Sequence, residues 1–328
     1  RTAPLRRWLQ LRGSSAVQIF YTFCVLALLG AALTRRFGKG IVVSGFEHPS
    51  VQRPLEELAK QGYDVTVVKP RPDGTLDMDR MLEHVDKNTI LVACMMVNNE
   101  IGTRNEVERL AAEVKRKNSR TLVHVDAVQA WMRVPIKLAN IDTLAVSGHK
   151  IHAPKGVGAL YLSDSLAQAF QPPYLGGEQE REKRPGTENL PYAMGLAAAA
   201  TRLAKTMKSR DTAMRALNQR LREGLKAFPE VEINSPENAI PHILNLSVRD
   251  VKGTVFQREL DAHGVCVSVK SACSSDGLPS RAVFAVSHDR RNALSSWRIS
   301  LSHLTTEEEL NGFLAAFDRC LKDLQKEK

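Results

Sequence analysis

Residues 121–162, TLVHVDAVQAWMRVPIKLANIDTLAVSGHKIHAPKGVGALYL, alternate short apolar runs with polar clusters. Three runs of five residues, bounded by turn-forming residues, have the composition of buried strands: 121–125, 143–147 and 158–162. The first run leads into HVDAVQ (124–129), and the second leads into SGHK (147–150). This stretch therefore predicts a sheet with polar side chains gathered where its strands end.

The same alternation extends upstream of this stretch. Further strands are predicted at 41–44, 64–68 and 90–97. Helical spacing of apolar residues predicts helices between them at 50–61, 77–85 and 104–117. Alternating strands and helices predict an α/β domain with a largely parallel sheet.

The downstream half has a different pattern. After a loop at 176–191, a long helix is predicted at 192–227. An α+β arrangement follows, with strands at 243–248 and 265–269 and helices at 255–263 and 306–324. We therefore expect three parts: an atypical apolar and basic segment (1–40), a large domain (41–205) and a small C-terminal domain (206–328).

Four polar clusters follow successive predicted strands: EHPS (47–50), NNEIG (98–102), HVDAVQ and SGHK. In an open α/β sheet, residues beyond the carboxyl ends of the strands line the binding crevice. An aspartate ending one strand, a lysine ending the next, and a serine and histidine beside that lysine are the set that pyridoxal phosphate requires. The carboxylate keeps the pyridine nitrogen protonated, the lysine forms a Schiff base, and the hydroxyl and imidazole hold the phosphate.

In this order, the motifs resemble those of the class V aminotransferases, and specifically of the cysteine desulfurases, over roughly residues 41–324. The resemblance implies the α/β fold of type I pyridoxal-phosphate-dependent transferases. Such a fold has a large domain with a mostly parallel sheet and a smaller α+β C-terminal domain. In the resembled family, the large domain binds the cofactor.

The resemblance also implies roles for the residues around the cofactor ring. Lys150 would form the Schiff base, and Asp126 would pair with the pyridine nitrogen. Gln129 and Asn99 would hydrogen-bond the ring oxygen, with Asn99 also close to the substrate. His48 would stack on the ring and assist proton transfer.

Phosphate binding is assigned to a second group of residues by the same resemblance. Ser147 and His149 would bind the phosphate from within the chain. Thr187 of RPGTEN (184–189) would join them from the other subunit of a homodimer.

Two further residues distinguish a desulfurase from its aminotransferase relatives. Cys273 lies in SVKSACSSDGLPS (268–280), whose small and turn-forming residues predict an exposed loop. A thiol there can attack sulfur, because it needs only partial ionisation near neutral pH. Arg298 of WRISLS matches the arginine that binds the substrate carboxylate with its planar fork.

The implied activity converts L-cysteine to L-alanine and leaves the sulfur as a persulfide on Cys273. The sulfur would then pass to an acceptor protein, either an iron-sulfur scaffold or a tRNA thiolation protein. One alternative is a selenocysteine lyase or another class V aminotransferase-like enzyme, which would share Lys150 and Asp126. A second alternative is an inactive or membrane-tethered interaction protein.

Composition limits the partners. The chain has a net charge of +10, but residues 1–39 contain seven basic residues and no acid, which leaves only +3 for the rest. We therefore expect no nucleic-acid partner. Five cysteines without CxxC spacing predict no disulfide framework and no metal site, which favours a cytoplasmic setting. Cys94 and Cys266 are expected to be buried thiols in strands.

The N-terminal segment departs from the resembled family. Residues 16–33 contain no charge and lie between arginines, so this stretch could also anchor the chain to a membrane. The family's N-A-A-T-T-type strand and Gly-Ala-Thr-Glu turn do not occur before residue 41. The resemblance therefore implies a truncated or altered N-terminus. Without the turn's backbone donors, we expect weaker phosphate binding and low activity.

Overall fold

The computed structural model describes residues 37–172, 176–269 and 278–326, together with Leu28 and Gly30. These residues divide into two compact units. The first contains the described residues up to Val68, then Met78–Met96 and Glu106–Lys205. The second contains Lys69–Asp77, Val97–Asn105 and the described residues from Thr206 onward.

In the described part of the first unit, six strands form one sheet in the spatial order β2-β1-β3-β4-β5-β6. They are β1 (Gly40–Ser44), β2 (Asp64–Val68), β3 (Thr89–Met95), β4 (Leu122–Asp126), β5 (Thr143–Ser147) and β6 (Gly158–Leu162). The pairings from β2 through β5 are parallel, and β6 is antiparallel to β5. The predicted α/β class with a mostly parallel sheet is confirmed.

Helices of the described part of this unit lie between the first four strands and after β6. They are α1 (Pro49–Lys60), α2 (Met78–Glu83), α3 (Val107–Lys117), α4 (Asp164–Ala169) and the first part of α5 (Leu190–Leu225). All residues of β3, β4 and β5 are buried, as expected for parallel strands covered on both faces. Leu28 packs into the same core, where it is fully buried.

The second unit is built on an antiparallel sheet in the order β7-β8-β9. Its further elements are β7 (Val231–Ile233), β8 (Ile243–Val248), α6 (Gly253–Ala262), α7 (Arg281–Ser287), α8 (Arg290–Ser295), β9 (Ser296–Ser300) and α9 (Glu307–Lys326). Its core centres on Trp297, which stacks on Phe256 with 5.4 Å between ring centroids. Phe317 packs against Phe256 at 4.9 Å. These aromatic rings fix β9 against α6 and α9.

Two predictions for this unit are wrong. Residues 265–269 do not form a strand, because only Ser268 pairs with Arg298 in an isolated bridge. Cys266 in the same segment is exposed rather than buried, whereas Cys94 in β3 is buried as predicted. Val265, Val267 and Val269 pack against the core of the unit, whereas Cys266 between them faces solvent.

The stretch 16–33, considered above as a possible membrane anchor, lies almost entirely outside the described residues. Among the helices that the structure describes, none is both long and apolar enough to span a bilayer.

Candidate active site

The first unit gathers its polar clusters at one edge of the sheet. Because β1, β3, β4 and β5 are parallel neighbours, their carboxyl ends share that edge. Asp126 and Ser147 are the last residues of β4 and β5. His48 lies in the short turn between β1 and α1. The sheet therefore places three of the predicted site residues at one edge.

Asp126 is a buried carboxyl at the end of β4, with 4% of its surface exposed. Its Oδ1 accepts a hydrogen bond from the Val128 N–H at 3.0 Å. Burial raises the pKa of Asp126 to about 6, against the opposing effects of that N–H and of the Lys150 charge. A cationic ligand group beside Asp126 would lower this pKa again and keep the carboxylate ionised.

Lys150 lies in the short 3-10 turn Gly148–Ile151 that follows β5. The turn closes at His152, whose φ of 62° is left-handed. The Lys150 charge acts on Asp126, where it favours the ionised form, and on His48 and His149, where it disfavours protonation. The charge of Lys150 therefore shifts the pKa values of three other residues of the predicted set.

His48 caps the N-terminus of α1 with its side chain. Its Nδ1 accepts from the Ser50 N–H at 3.2 Å and lies 2.8 Å from the Ser50 hydroxyl. A backbone N–H can only donate, so Nδ1 carries no proton and the neutral ring has its proton on Nε2. Burial, followed by the Lys150 charge, lowers the pKa of His48 to about 4. His48 is therefore neutral at pH 7, with Nε2–H as a donor.

Ser147 and His149 form a pair on either side of Gly148. The Ser147 hydroxyl lies 2.8 Å from His149 Nδ1. Burial, together with the charges of Lys150 and Lys155, lowers the pKa of His149 to about 4. The pair offers hydroxyl and imidazole groups suited to an anion.

Gln129 follows β4 and is 8% exposed. Its side-chain oxygen accepts from Nη1 of Arg133, a residue to which the sequence analysis assigned no role. Arg133 Nη2 also donates to the Lys150 carbonyl at 2.9 Å. One guanidinium thus connects two of the predicted site residues.

Glu47 is a second residue without a predicted role, although it lies in the EHPS motif. Its Oε1 accepts from the Ser44 hydroxyl and from the Met95 N–H, the latter at 2.7 Å. Its Oε2 is buried without a hydrogen-bond partner among the described residues. Burial raises the pKa of Glu47 to about 8, and the nearby Asp126 charge adds to this effect. Glu47 is therefore mainly protonated at pH 7.

Asn99 and Arg298 belong to the second unit, where they are in contact. Arg298 on β9 donates from Nη1 to the Asn99 carbonyl at 2.6 Å and from Nε to the Ser300 hydroxyl at 3.1 Å. Burial lowers the pKa of Arg298, and Glu100 opposes that effect. The bridge between Arg298 and Ser268 holds the segment that leads towards Cys273. Cys273 itself lies outside the described residues.

Thr187 lies on the loop before α5 and is exposed. This placement leaves its hydroxyl accessible at the surface of the unit. Its predicted contact with a phosphate of the other subunit stays a prediction.

The fold and this site define the chain as an α/β protein of the class V aminotransferase type. A family model described as aminotransferase class V matches residues 22–313, starting within the apolar stretch 16–33. The chain therefore belongs to the class V aminotransferase family.

Proteins similar to the chain over most of its length are named cysteine desulfurases. A cysteine desulfurase from Nostoc sp. is 34% identical over 325 residues, which span 96% of this chain and 80% of the relative. The cysteine desulfurase NifS of Azotobacter vinelandii is 34% identical over 304 residues, 90% of this chain and 75% of that protein. A solved structure described as a NifS-like protein superimposes with a TM-score of 0.86 at 32% identity. The match covers 92% of this chain and 80% of that one.

Proposed function

We propose that the chain is a pyridoxal-phosphate-dependent cysteine desulfurase that converts L-cysteine to L-alanine and holds the sulfur on Cys273. One observation carries the proposal: Asp126 and Lys150 follow adjacent parallel strands, and the Lys150 charge acts on the buried Asp126 carboxyl. The cysteine desulfurase relatives, at 34% identity over most of their length, support the reaction.

The groups at the sheet edge fit the cofactor in chemical type. Asp126 offers a buried carboxylate for the pyridine nitrogen, and Lys150 offers the primary amine through which the cofactor is attached. Ser147 and His149 offer donors for its phosphate. When bound, the cofactor supplies an electron-accepting ring that stabilises negative charge on the substrate carbon.

The protonation states of the side chains support different roles for His48 and Lys150 in proton transfer. His48 Nδ1 is engaged by Ser50, and Nε2 already carries a proton, so the neutral ring is a donor rather than a base. Lys150 carries the amine of the predicted set at this edge, and in its uncharged form that amine can accept a proton. We therefore assign transfer of the substrate α-proton to Lys150, and hydrogen-bond donation from Nε2 to His48.

Substrate binding and sulfur transfer are assigned to residues of the second unit. Arg298 would bind the substrate carboxylate through its planar guanidinium. The Cys273 thiolate would attack the sulfur of L-cysteine, so that an S–S bond forms and the substrate C–S bond breaks. The products are L-alanine and a persulfide on Cys273, and the step needs no external oxidant or reductant.

The partners follow from this chemistry. The persulfide sulfur would pass to an acceptor protein, an iron-sulfur scaffold or a thiolation protein. We also propose a homodimer in which Thr187 reaches the partner's cofactor phosphate. The cytoplasmic setting expected from the cysteine pattern stays a prediction.

The test is to titrate the purified chain with pyridoxal phosphate, record the visible absorbance, add L-cysteine and quantify alanine. We expect a visible band that changes with cysteine, together with alanine release. Lys150→Ala should lose the band of the attached cofactor. Lys322→Ala, which removes an exposed lysine of α9 that pairs with Asp318, serves as the control. A parent chain that shows no band would contradict the proposal.

A further inference from the structure

Arg133 lies in the loop after β4 and contacts two residues of the predicted cofactor site. Its Nη1 donates to the side-chain oxygen of Gln129 and, at 3.2 Å, to the Gln129 carbonyl. Its Nη2 donates to the Lys150 carbonyl at 2.9 Å. The guanidinium therefore ties the loop after β4 to the turn after β5.

This contact fixes the polarity of the Gln129 side chain. A guanidinium has five N–H donors and no acceptor, so the amide oxygen must face Arg133. The amide nitrogen is then the group that Gln129 has left for a ligand. Gln129 is almost fully buried, so little water competes for the contact. An N–H donor suits an anionic ring oxygen, whereas an amide oxygen would repel it.

The residue before Arg133, Met132, has a strained backbone conformation, and the turn that it forms places the Arg133 side chain near Gln129 and Lys150. Met132 has a φ of 59°, a left-handed conformation that is unfavourable for any residue with a side chain. Trp131 and Met132 pack against the buried cluster of Ile151, Ala153 and Leu203, which helps to hold the strained turn. The Arg133 N–H donates to the Ala130 carbonyl at 3.0 Å and closes the turn. Strain of this kind concentrates at functional sites.

We propose that Arg133 is a positioning residue of the cofactor site, which makes Gln129 an N–H donor to the cofactor ring and holds the Lys150 backbone in place. The inference rests on the proposed function and adds a residue outside the set that the sequence assigned. Arg133 acts through Gln129 and Lys150 and does not itself bind the cofactor.

The first experiment measures the affinity of each apo chain for pyridoxal phosphate from its visible absorbance. Arg133→Met should bind about tenfold more weakly, the loss expected when one charge-assisted hydrogen bond no longer fixes its acceptor. Arg133→Lys keeps a donor for one of the acceptors and should recover part of the affinity. Arg116→Met removes an exposed arginine of α3 that pairs with Glu113, and it should leave the affinity unchanged.

A second variant tests whether the N–H donor of Gln129 is needed for cofactor binding, without loss of folding stability. Gln129→Glu keeps the contact with Arg133 as an ion pair but has no N–H to offer. Its urea midpoint should match or exceed that of the parent, while its cofactor affinity should fall at least about tenfold. If Arg133 and Gln129 had only a structural role, the stable Gln129→Glu variant would bind pyridoxal phosphate as tightly as the parent does.

A double-mutant cycle then tests whether Arg133 acts through Gln129. In a Gln129→Ala background, the effect of Arg133→Met on affinity should shrink from about tenfold to less than about threefold. If Arg133→Met does not fold, the Arg133→Lys and Gln129→Glu titrations decide the question. Equal affinity for the parent, Arg133→Lys and Gln129→Glu overturns the inference while the proposed function stands. A parent chain that binds no cofactor overturns both.

Discussion

The substitution Glu47→Gln tests whether the buried Glu47 carboxyl is protonated in the folded chain. The pKa of Glu47 rises from 4.5 to about 8 on burial. A raised carboxyl pKa contributes stability that is complete below pH 4.5 and is lost as the pH rises towards 8, because only the unfolded state ionises in that window. Each pH unit within the window changes the free energy of unfolding by about 1.4 kcal/mol.

Glutamine removes this pH dependence and little else. Its oxygen can replace Oε1 as the acceptor for Ser44 and the Met95 N–H, and its NH₂ replaces the Oε2 that has no partner. At pH 5 the variant and the parent should therefore differ by about 1 kcal/mol or less. Between pH 5 and pH 8 the variant should gain about 3–4 kcal/mol relative to the parent, the amount that follows from the two pKa values by linkage.

The assay is urea unfolding of both chains at four pH values from 5 to 8, with the difference taken at each pH. Groups that titrate equally in both chains, including Asp126, largely cancel in the difference. Glu113→Gln on α3, where the glutamate pairs with Arg116, is the matched control, and its difference should stay nearly flat. A flat Glu47→Gln difference would refute the argument that Glu47 is buried and protonated.

Further predictions concern the reaction and the fold. Cys273→Ala should abolish persulfide formation while cofactor absorbance is retained; loss of the absorbance would contradict the division of roles between Cys273 and Lys150. Arg298→Lys should raise KM for L-cysteine by about tenfold or more with a smaller effect on kcat, because the ammonium cannot bind a carboxylate with two parallel bonds; an unchanged KM would remove Arg298 from substrate binding. Asp142→Asn should destabilise the chain by about 3 kcal/mol in urea unfolding, because Lys115 lies 2.6 Å from this buried carboxylate; a loss below about 1 kcal/mol would count against a buried ion pair.

The sheet of the first unit could be predicted because its strands have a strong local signal. The runs at 64–68, 143–147 and 158–162 match β2, β5 and β6 residue for residue. Their apolar residues are bounded by turn formers, so neither length nor position was ambiguous. Parallel order then placed the polar clusters at one edge without knowledge of any contact.

The second unit was harder to predict for physical reasons. Residues 265–269 alternate apolar residues with small ones, yet they pair with β9 only at Ser268. A strand needs a partner along its length, and that partner is set by tertiary structure rather than by local sequence. The three-residue β7 was missed because so short a run has no periodicity to detect.

The site was predicted in its residues but not in its supporting contacts. Asp126 and Lys150 follow from strand ends and motif order. Glu47 stands beside His48 in the EHPS motif, so its burial could have been suspected from the buried strand before it. Arg133 has no local signal, because its contacts with Gln129 and Lys150 depend on a left-handed turn at Met132.

The most direct test of the proposed function is one turnover of the cofactor-loaded chain with L-cysteine, in which alanine and the sulfur on each cysteine peptide are quantified by mass spectrometry. Alanine and persulfide should appear in equal amounts, and the added sulfur atom should lie on the peptide containing Cys273. Alanine without persulfide at Cys273, or cofactor binding without alanine, would contradict the proposed function.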